Sequence, residues 1–288
     1  MISQVNYTNF VSNVNPYPAS LVNKAYNNSY SNVNCLSTLD RLELSAQAKN
    51  KITDNTTKKT VDFLMDKYRY TNNSMEKLSI ISALGATRSE EAVQGLTQIS
   101  HYNLDFQLKE AVISALGNTR KDSSVDILEK MYKDNWNNYQ IKEDIIKALG
   151  NTRSEKALPL LEKIYKDNWN NYQIKEDVIK ALGDTRSEKA VPILREYYNN
   201  NWNNENLKRA IVAALGETRS NAAVDCLKYI YRNVSFNSYD RALVIQALGN
   251  TRSEEAIMYL QELYRYADNN DQIKILNAIT SAYQVSDN

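Results

Sequence analysis

Six of the chain's seven glycines stand at positions 85, 117, 150, 183, 216 and 249, and each closes an Ala-Leu-Gly triplet. A variable residue and then Thr-Arg follow every one, ending at Arg88, Arg120, Arg153, Arg186, Arg219 and Arg252. The first step is 32 residues and the next four are 33. A fixed period of this length marks a stack of units, each too small to bury its own apolar faces without a neighbour. The copies are closest at 135–158 and 168–191, where NWNNYQIKEDIIKALGNTRSEKAL returns as NWNNYQIKEDVIKALGDTRSEKAV.

The unit resolves into two helices. Ser187 is placed to N-cap a first helix, with Glu188 near the positive end of the helix dipole. Val191, Leu194 and Tyr198 then recur at i, i+3 and i+7, one face of a helix. Pro159 and Pro192 fall one turn inside their first helices, where each is expected to cost a backbone hydrogen bond and bend the helix. An Asn-rich turn leads to the second helix, whose expected N-caps are Asn73, Asp105, Asn138, Asn171, Asn204, Asn237 and Asn270. Ile141, Ile145, Ala148 and Leu149 supply its apolar stripe. Gly150 is expected to end it in the left-handed conformation. Seven pairs follow, at 57–85, 89–117, 121–150, 154–183, 187–216, 220–249 and 253–283. The last lacks Ala-Leu-Gly and has Ala282 near the glycine position, as a terminal cap would.

A second helix ending in ALG, a short turn, and then SEKALPLLEKI with its early proline resembles the HEAT-like repeats of the family first named for phycobilisome lyases. The resemblance runs over about 55–283. It implies an all-α, right-handed α-solenoid whose second helices line a concave face. The family it points to is mostly protein-binding scaffolds, with some bilin lyase subunits and a DNA glycosylase branch. Where that family usually has Ile-Gly after ALGx, this chain has Thr-Arg.

The rest of the chain narrows the function classes. Lys and Arg total 35 and Asp and Glu 34 among 288 residues, a net charge of +1. A protein that neutralises many phosphates carries a basic excess, so nucleic acid is not the expected partner. No apolar run approaches the ~18–20 residues that span a bilayer, and MISQVNYTNF has neither the basic nor the apolar region of a secretory signal. No membrane association and a cytoplasmic location are therefore expected, and the high share of Asn, Lys, Ile and Tyr suggests an AT-rich, bacterial genome. Cys35 and Cys226 form no disulfide framework or metal spacing, and Cys226 falls on an apolar helix face as a core thiol. His101 is the only histidine, which leaves little material for a catalytic or metal centre. No cofactor, metal or catalytic residue is assigned.

Residues 1–35 are rich in Asn, Ser and Tyr, nearly uncharged, and without helical period, so they are expected to be disordered. Residues 36–55 form a linker or a short N-terminal capping helix carrying Leu39, Leu42 and Leu44, and 56–285 form the solenoid.

Between the apolar positions of the second helices lie Gln140, Glu143, Asp144 and Lys147, then Gln173, Glu176, Asp177 and Lys180. Glu110, Ala111 and Ser114 precede them, and Ala210 and Ala213 follow, with Arg209 the one basic intruder. These rows form either a groove for a basic or polar protein surface or peptide, or a solvated face balanced by the pairs Glu143–Lys147 and Glu176–Lys180. Trp136, Trp169 and Trp202 recur in the inter-helix turns, followed by Tyr139 and Tyr172; they form an aromatic binding edge or lid their own cores. Lys77, Lys109, Lys142, Lys175, Lys208, Arg241 and Lys274 make a basic ladder, and the Thr-Arg arginines a second. Present in every copy, both are expected to serve the repeat by pairing with Asx side chains or helix-end carbonyls. The function expected is a non-enzymatic protein–protein interaction scaffold. A bilin lyase-like or chaperone-like subunit is the alternative, and a DNA-binding or DNA-repair solenoid is third.

Overall fold

The computed structural model describes residues 38–284 apart from 136, 202 and 234–237. The segment expected to be disordered lies outside them, as do Cys35, Trp136, Trp202 and Asn237. The chain divides into residues 1–56 and residues 57–288. Described secondary structure is entirely helical: α1 (Thr38–Tyr70), α2 (Ser74–Ala86), α3 (Glu90–Ser100), α4 (Phe106–Asn118), α5 (Asp122–Asp134), α6 (Tyr139–Asn151), α7 (Ala157–Asp167), α8 (Tyr172–Asp184), α9 (Ala190–Asn200), α10 (Glu205–Glu217), α11 (Asn221–Asn233), α12 (Ser238–Asn250), α13 (Glu254–Tyr264) and α14 (Asn269–Tyr283). α1 is longer than the short helix expected within 36–55, because no glycine or proline interrupts the sequence from Thr38 to Tyr70.

From residue 57 on, odd- and even-numbered helices alternate as the first and second helices of seven pairs. Each second helix packs along its length against the second helices before and after it, whereas neighbouring first helices meet over a shorter stretch. One core runs through the stack between these layers. Ile141, Ile145, Ile146 and Leu149 are all fully buried in it, each large side chain contributing roughly 1.5–3 kcal/mol. Val191 and Leu194 are buried as expected, but the third member of their face is Tyr197 at i+6, with Tyr198 only partly buried. Tyr197 stacks on Tyr165 of the preceding repeat at 3.8 Å between ring centroids.

The repeat's polar letters each close a helix end. Asn138, Asn171 and Asn204 accept the backbone N–H of the third residue onward, at 3.1–3.2 Å, and Asp105 does the same at 2.8 Å. The asparagine three residues earlier works in the other direction. Asn135, Asn168 and Asn201 donate their side-chain amides to the carbonyls of Met131, Ile164 and Tyr197. At the far end, Thr119, Thr152, Thr185, Thr218 and Thr251 are buried and donate their hydroxyls to the carbonyl of the leucine three residues back. These groups satisfy orphan carbonyls that the helix geometry leaves behind.

The glycines act otherwise than expected. None has a positive φ; among the described residues the left-handed ones are the six arginines, at φ 51–54°. The helix runs one residue past each glycine, and the glycine is there for space. A methyl carbon on Gly150 would lie 2.8 Å from the Ala181 carbonyl oxygen and 2.9 Å from its Cα. Gly117 meets Ala148 in the same way, and Gly183 meets Ala214. Glycine against alanine thus sets the approach of successive second helices, in the register of the Ala-Leu-Gly triplet.

The last pair is shifted. Gly249 meets Ala278, and the N-cap of α14 is Asp268, which accepts the Asp271 N–H; Asn270 lies inside the helix. The pair is two residues shorter than the four before it, so the glycine position falls on Thr280, which is exposed. In that exposed position a side chain costs nothing. The same shift moves Lys274 out of the basic ladder, whose position passes to Gln272.

The first helices also open differently. α7 begins at Ala157 and α9 at Ala190, each preceded by a turn in which Ser154 or Ser187 accepts the N–H two residues on. Ser187 therefore precedes the helix rather than capping it, whereas Ser89 caps α3 through the Ala92 N–H. Pro159 and Pro192 are each the third residue of their helix. The first four N–H groups of a helix lack intrahelical acceptors, so these prolines forfeit no bond.

Candidate interaction surface

Between the buried positions of α4, α6 and α8, the second-helix layer presents a run of partly buried carboxylates. Burial, then the neighbouring Glu110 and Glu143 carboxylates, push the Asp144 carboxyl above its ordinary range, against a hydrogen bond from Gln140. Asp177 is raised by burial, and by Glu143 and Glu176, against Gln173 and Lys180. One carboxylate oxygen of each aspartate, Oδ2, is buried without a hydrogen-bond partner. Gln173 donates to the other oxygen of Asp177 at 3.1 Å. The structure therefore gathers Glu110, Glu143, Asp144, Glu176 and Asp177 across three successive helices. The two consecutive acids were legible in the sequence; the part played by Glu110 was not, because its own helix follows it with Ala111 and Ser114.

The cations do not neutralise this block evenly. Lys180 reaches Glu176 at 2.8 Å, but among the described residues Glu143 and Lys147 form no ion pair. The Asp184 carboxyl is raised on balance by burial and by Glu217, against Arg186, Lys147 and Arg153. Arg209 is held by Asp240 of the next repeat, with Nε to Oδ1 at 2.6 Å, and lies over the Tyr239 ring at 5.0 Å. Its positive charge is committed inside the stack.

Beyond the carboxylates, a cleft of about 490 Å³ opens between α8 and α10, lined by Glu176, Lys180, Asp184, Asn206, Arg209, Ala210, Ala213, Ala214 and Glu217. Asp184 and Glu217 were not singled out in the sequence, since each occupies the variable position between Gly and Thr-Arg. Only the packing of successive second helices brings them together.

The lysine ladder works within each repeat. Lys77, Lys142, Lys175 and Lys208 lie 4.8–5.6 Å from the ring centres of Tyr68, Tyr132, Tyr165 and Tyr198 in their own first helices. The expected contacts with Asx side chains or helix-end carbonyls are replaced by these cation–π contacts. Arg241, in the same position, reaches Asp271 at 2.9 Å. On the turn edge, Trp169 is 73% exposed and does not lid its core; Tyr139 and Tyr172 are exposed as well. Burial, and then Asp177 and Glu143, raise the Tyr139 hydroxyl above its usual range. Cys226 is a buried thiol, pushed up to about 11 by that burial, and His101 ends α3 in an exposed position. Among the described residues no cluster of three His, Cys, Asp or Glu side chains could hold a metal ion, and no helix is long and apolar enough to cross a membrane.

Stacked helix pairs sharing one core, with every second helix seated against the next, define an α-solenoid. The sequence model for HEAT repeats matches residues 102–174 and 169–236, so the middle of the stack consists of HEAT repeats. It is similar in structure to human deoxyhypusine hydroxylase in complex with glycerol, at 15% identity and a TM-score of 0.37, over 77% of this chain and 84% of that one. It is also similar to the complex of CpcE and CpcF of phycocyanin lyase from Nostoc sp. PCC7120, at 16% identity and a TM-score of 0.45, over 77% and 94%. No curated protein sequence matches it.

Proposed function

We propose that this chain is a non-catalytic docking scaffold that binds another protein through the second-helix layer of repeats two to five. The observation that carries the reading is the half-buried carboxylate block over α4, α6 and α8, with two buried carboxylate oxygens unpartnered. Carboxylates held this way are short of hydrogen-bond donors. A basic or polar segment laid across the layer supplies them, and its aliphatic stems find Ala210 and Ala213 beside the cleft. HEAT repeats suit the task, because copying a unit lengthens a surface without a new fold.

The test uses two baits in a crosslinking capture from the native host, the wild type and a variant with Glu143, Asp144, Glu176 and Asp177 changed to Lys. A protein held by the first, lost by the second, and displaced from the first by an arginine-rich peptide supports the reading. Equal capture by both baits moves the site off this layer and rejects it. The melting midpoint of the variant must not fall below that of the wild type for the comparison to stand.

A further inference from the structure

Six arginines occupy the turns that end the second helices, all in the left-handed region at φ 51–54°. That conformation is strained for an L-residue, and glycine avoids the strain. A cation near a helix C-terminus gains from the dipole. An Arg or Lys in the last helical turn would gain as much without backbone strain, yet the last turns of α4, α6, α8 and α10 hold no basic residue. The strain is repeated at every turn, and the dipole does not explain it.

Arg120, Arg153, Arg186 and Arg219 are half-buried, and Arg88 is exposed. Among the described residues none of these five guanidinium groups has an ion pair or a side-chain hydrogen bond, and the Nε of Arg219 is buried without a partner. The groups act on one another instead. Burial, and then Arg186, Arg120, Arg219 and Arg88, bring the Arg153 guanidinium down to about 10; burial and Arg88 lower Arg120. Further along, Glu217 partly offsets the effect at Arg186 and Arg219. Asp184 also offsets it at Arg186, whereas no acidic group offsets the lowering of Arg120 or Arg153.

We propose that Arg88, Arg120 and Arg153 form a binding edge for an extended acidic peptide segment of a partner, with one carboxylate to each guanidinium. The rungs repeat with the second helices, which pack ~8–10 Å apart. A polyproline-II chain rises ~3.1 Å per residue with three residues per turn, so an acid at every third position returns on one side after about 9 Å. Duplex DNA carries a charge every ~1.7 Å, several to each rung. A peptide with spaced acids matches the row, and a polyphosphate does not. The proposal is independent of the second-helix-layer reading, since it uses other residues of opposite charge.

The probe is a fluorescent peptide of six Glu-Pro-Pro units, titrated with the full chain in low salt and followed by anisotropy. The comparison variant carries Arg88→Gly, Arg120→Gly and Arg153→Gly, and an oligothymidylate of equal length serves as second probe. The peptide is expected to bind the wild type and to bind the variant at least about ten-fold more weakly, as for loss of three charge-assisted contacts. The variant's melting midpoint should stay level or rise, because glycine relieves the left-handed strain. The proposal is overturned by absence of peptide binding, by equal binding to both proteins, or by tighter binding of the oligothymidylate. A lower midpoint in the variant overturns it too, since the arginines would then be holding the fold.

Discussion

The two helix layers of this stack are joined from repeat to repeat in different ways. In the second-helix layer the joint is backbone against backbone: glycine opposite the alanine of the next copy, with no room for a methyl group. In the first-helix layer it is made by side chains. Ser154 donates to Asp122 and Lys156 to Asp126; one repeat on, Ser187 and Lys189 both reach Glu155; later, Ser253 donates to Asn221. A backbone contact admits one residue type, so the Ala-Leu-Gly triplet hardly varies. A side-chain bridge admits several, so the residues at first-helix starts drift while the bridge persists.

That contrast can be broken in a graded way. Leu149→Ala, beside the glycine joint and fully buried, should cost ~2–5 kcal/mol in urea unfolding; a change under about half a kcal/mol would mean the side chain is not in the core. Gly150→Ala should cost about 1–3 kcal/mol, because Ala181 presents backbone that cannot move aside. Its counterpart in the last described helix, Thr280→Ala, should change stability by no more than about half a kcal/mol, since Thr280 is exposed. Equal costs at these two positions would refute the account of the glycines.

In the first-helix layer, Lys189→Ala should cost less than about 1 kcal/mol. The pair with Glu155 is solvent-exposed on both sides, where ion pairs contribute little.

The carboxylates of the second-helix layer predict a change of opposite sign. Asp144 and Asp177 are raised in the folded chain, so the folded state holds their protons more tightly than the unfolded one. Their unfavourable contribution is complete at neutral pH and is relieved as pH falls through the folded values toward the ordinary carboxylate range. Asp144→Asn with Asp177→Asn should therefore raise the melting midpoint at pH 7 by about 1–3 °C, and the gain over wild type should shrink as the pH is lowered. A gain that grew on acidification would contradict the assigned environment. Smallest of all, Trp169→Ala should leave stability within about half a kcal/mol, as its exposure requires.

Much of this was readable beforehand, where the chemistry is local. An Asx before an apolar run announces a helix start, and the caps at Asn138, Asn171 and Asn204 follow. Ile145 and Leu149 repeat with helical spacing and are buried. The consecutive acids at 143–144 and 176–177 were visible as rows. Their union with Glu110 was not, because it depends on which side chain of one helix faces which of the next. The two-residue deletion in the last pair escaped for a similar reason: Asn270 fits a cap as well as Asp268 does, until Gly249 is seen against Ala278.

The sequence by itself determined the period, the helix pairs and most of their ends, since periodicity and capping are interactions within a few residues. The tertiary structure decided why the repeated letters are what they are. Glycine is required by the helix one repeat away, and the left-handed turn falls to arginine instead. A residue's own neighbours in the chain set the conformation it prefers, but the space left for it, and the charges that face it, are set by the next copy in the stack.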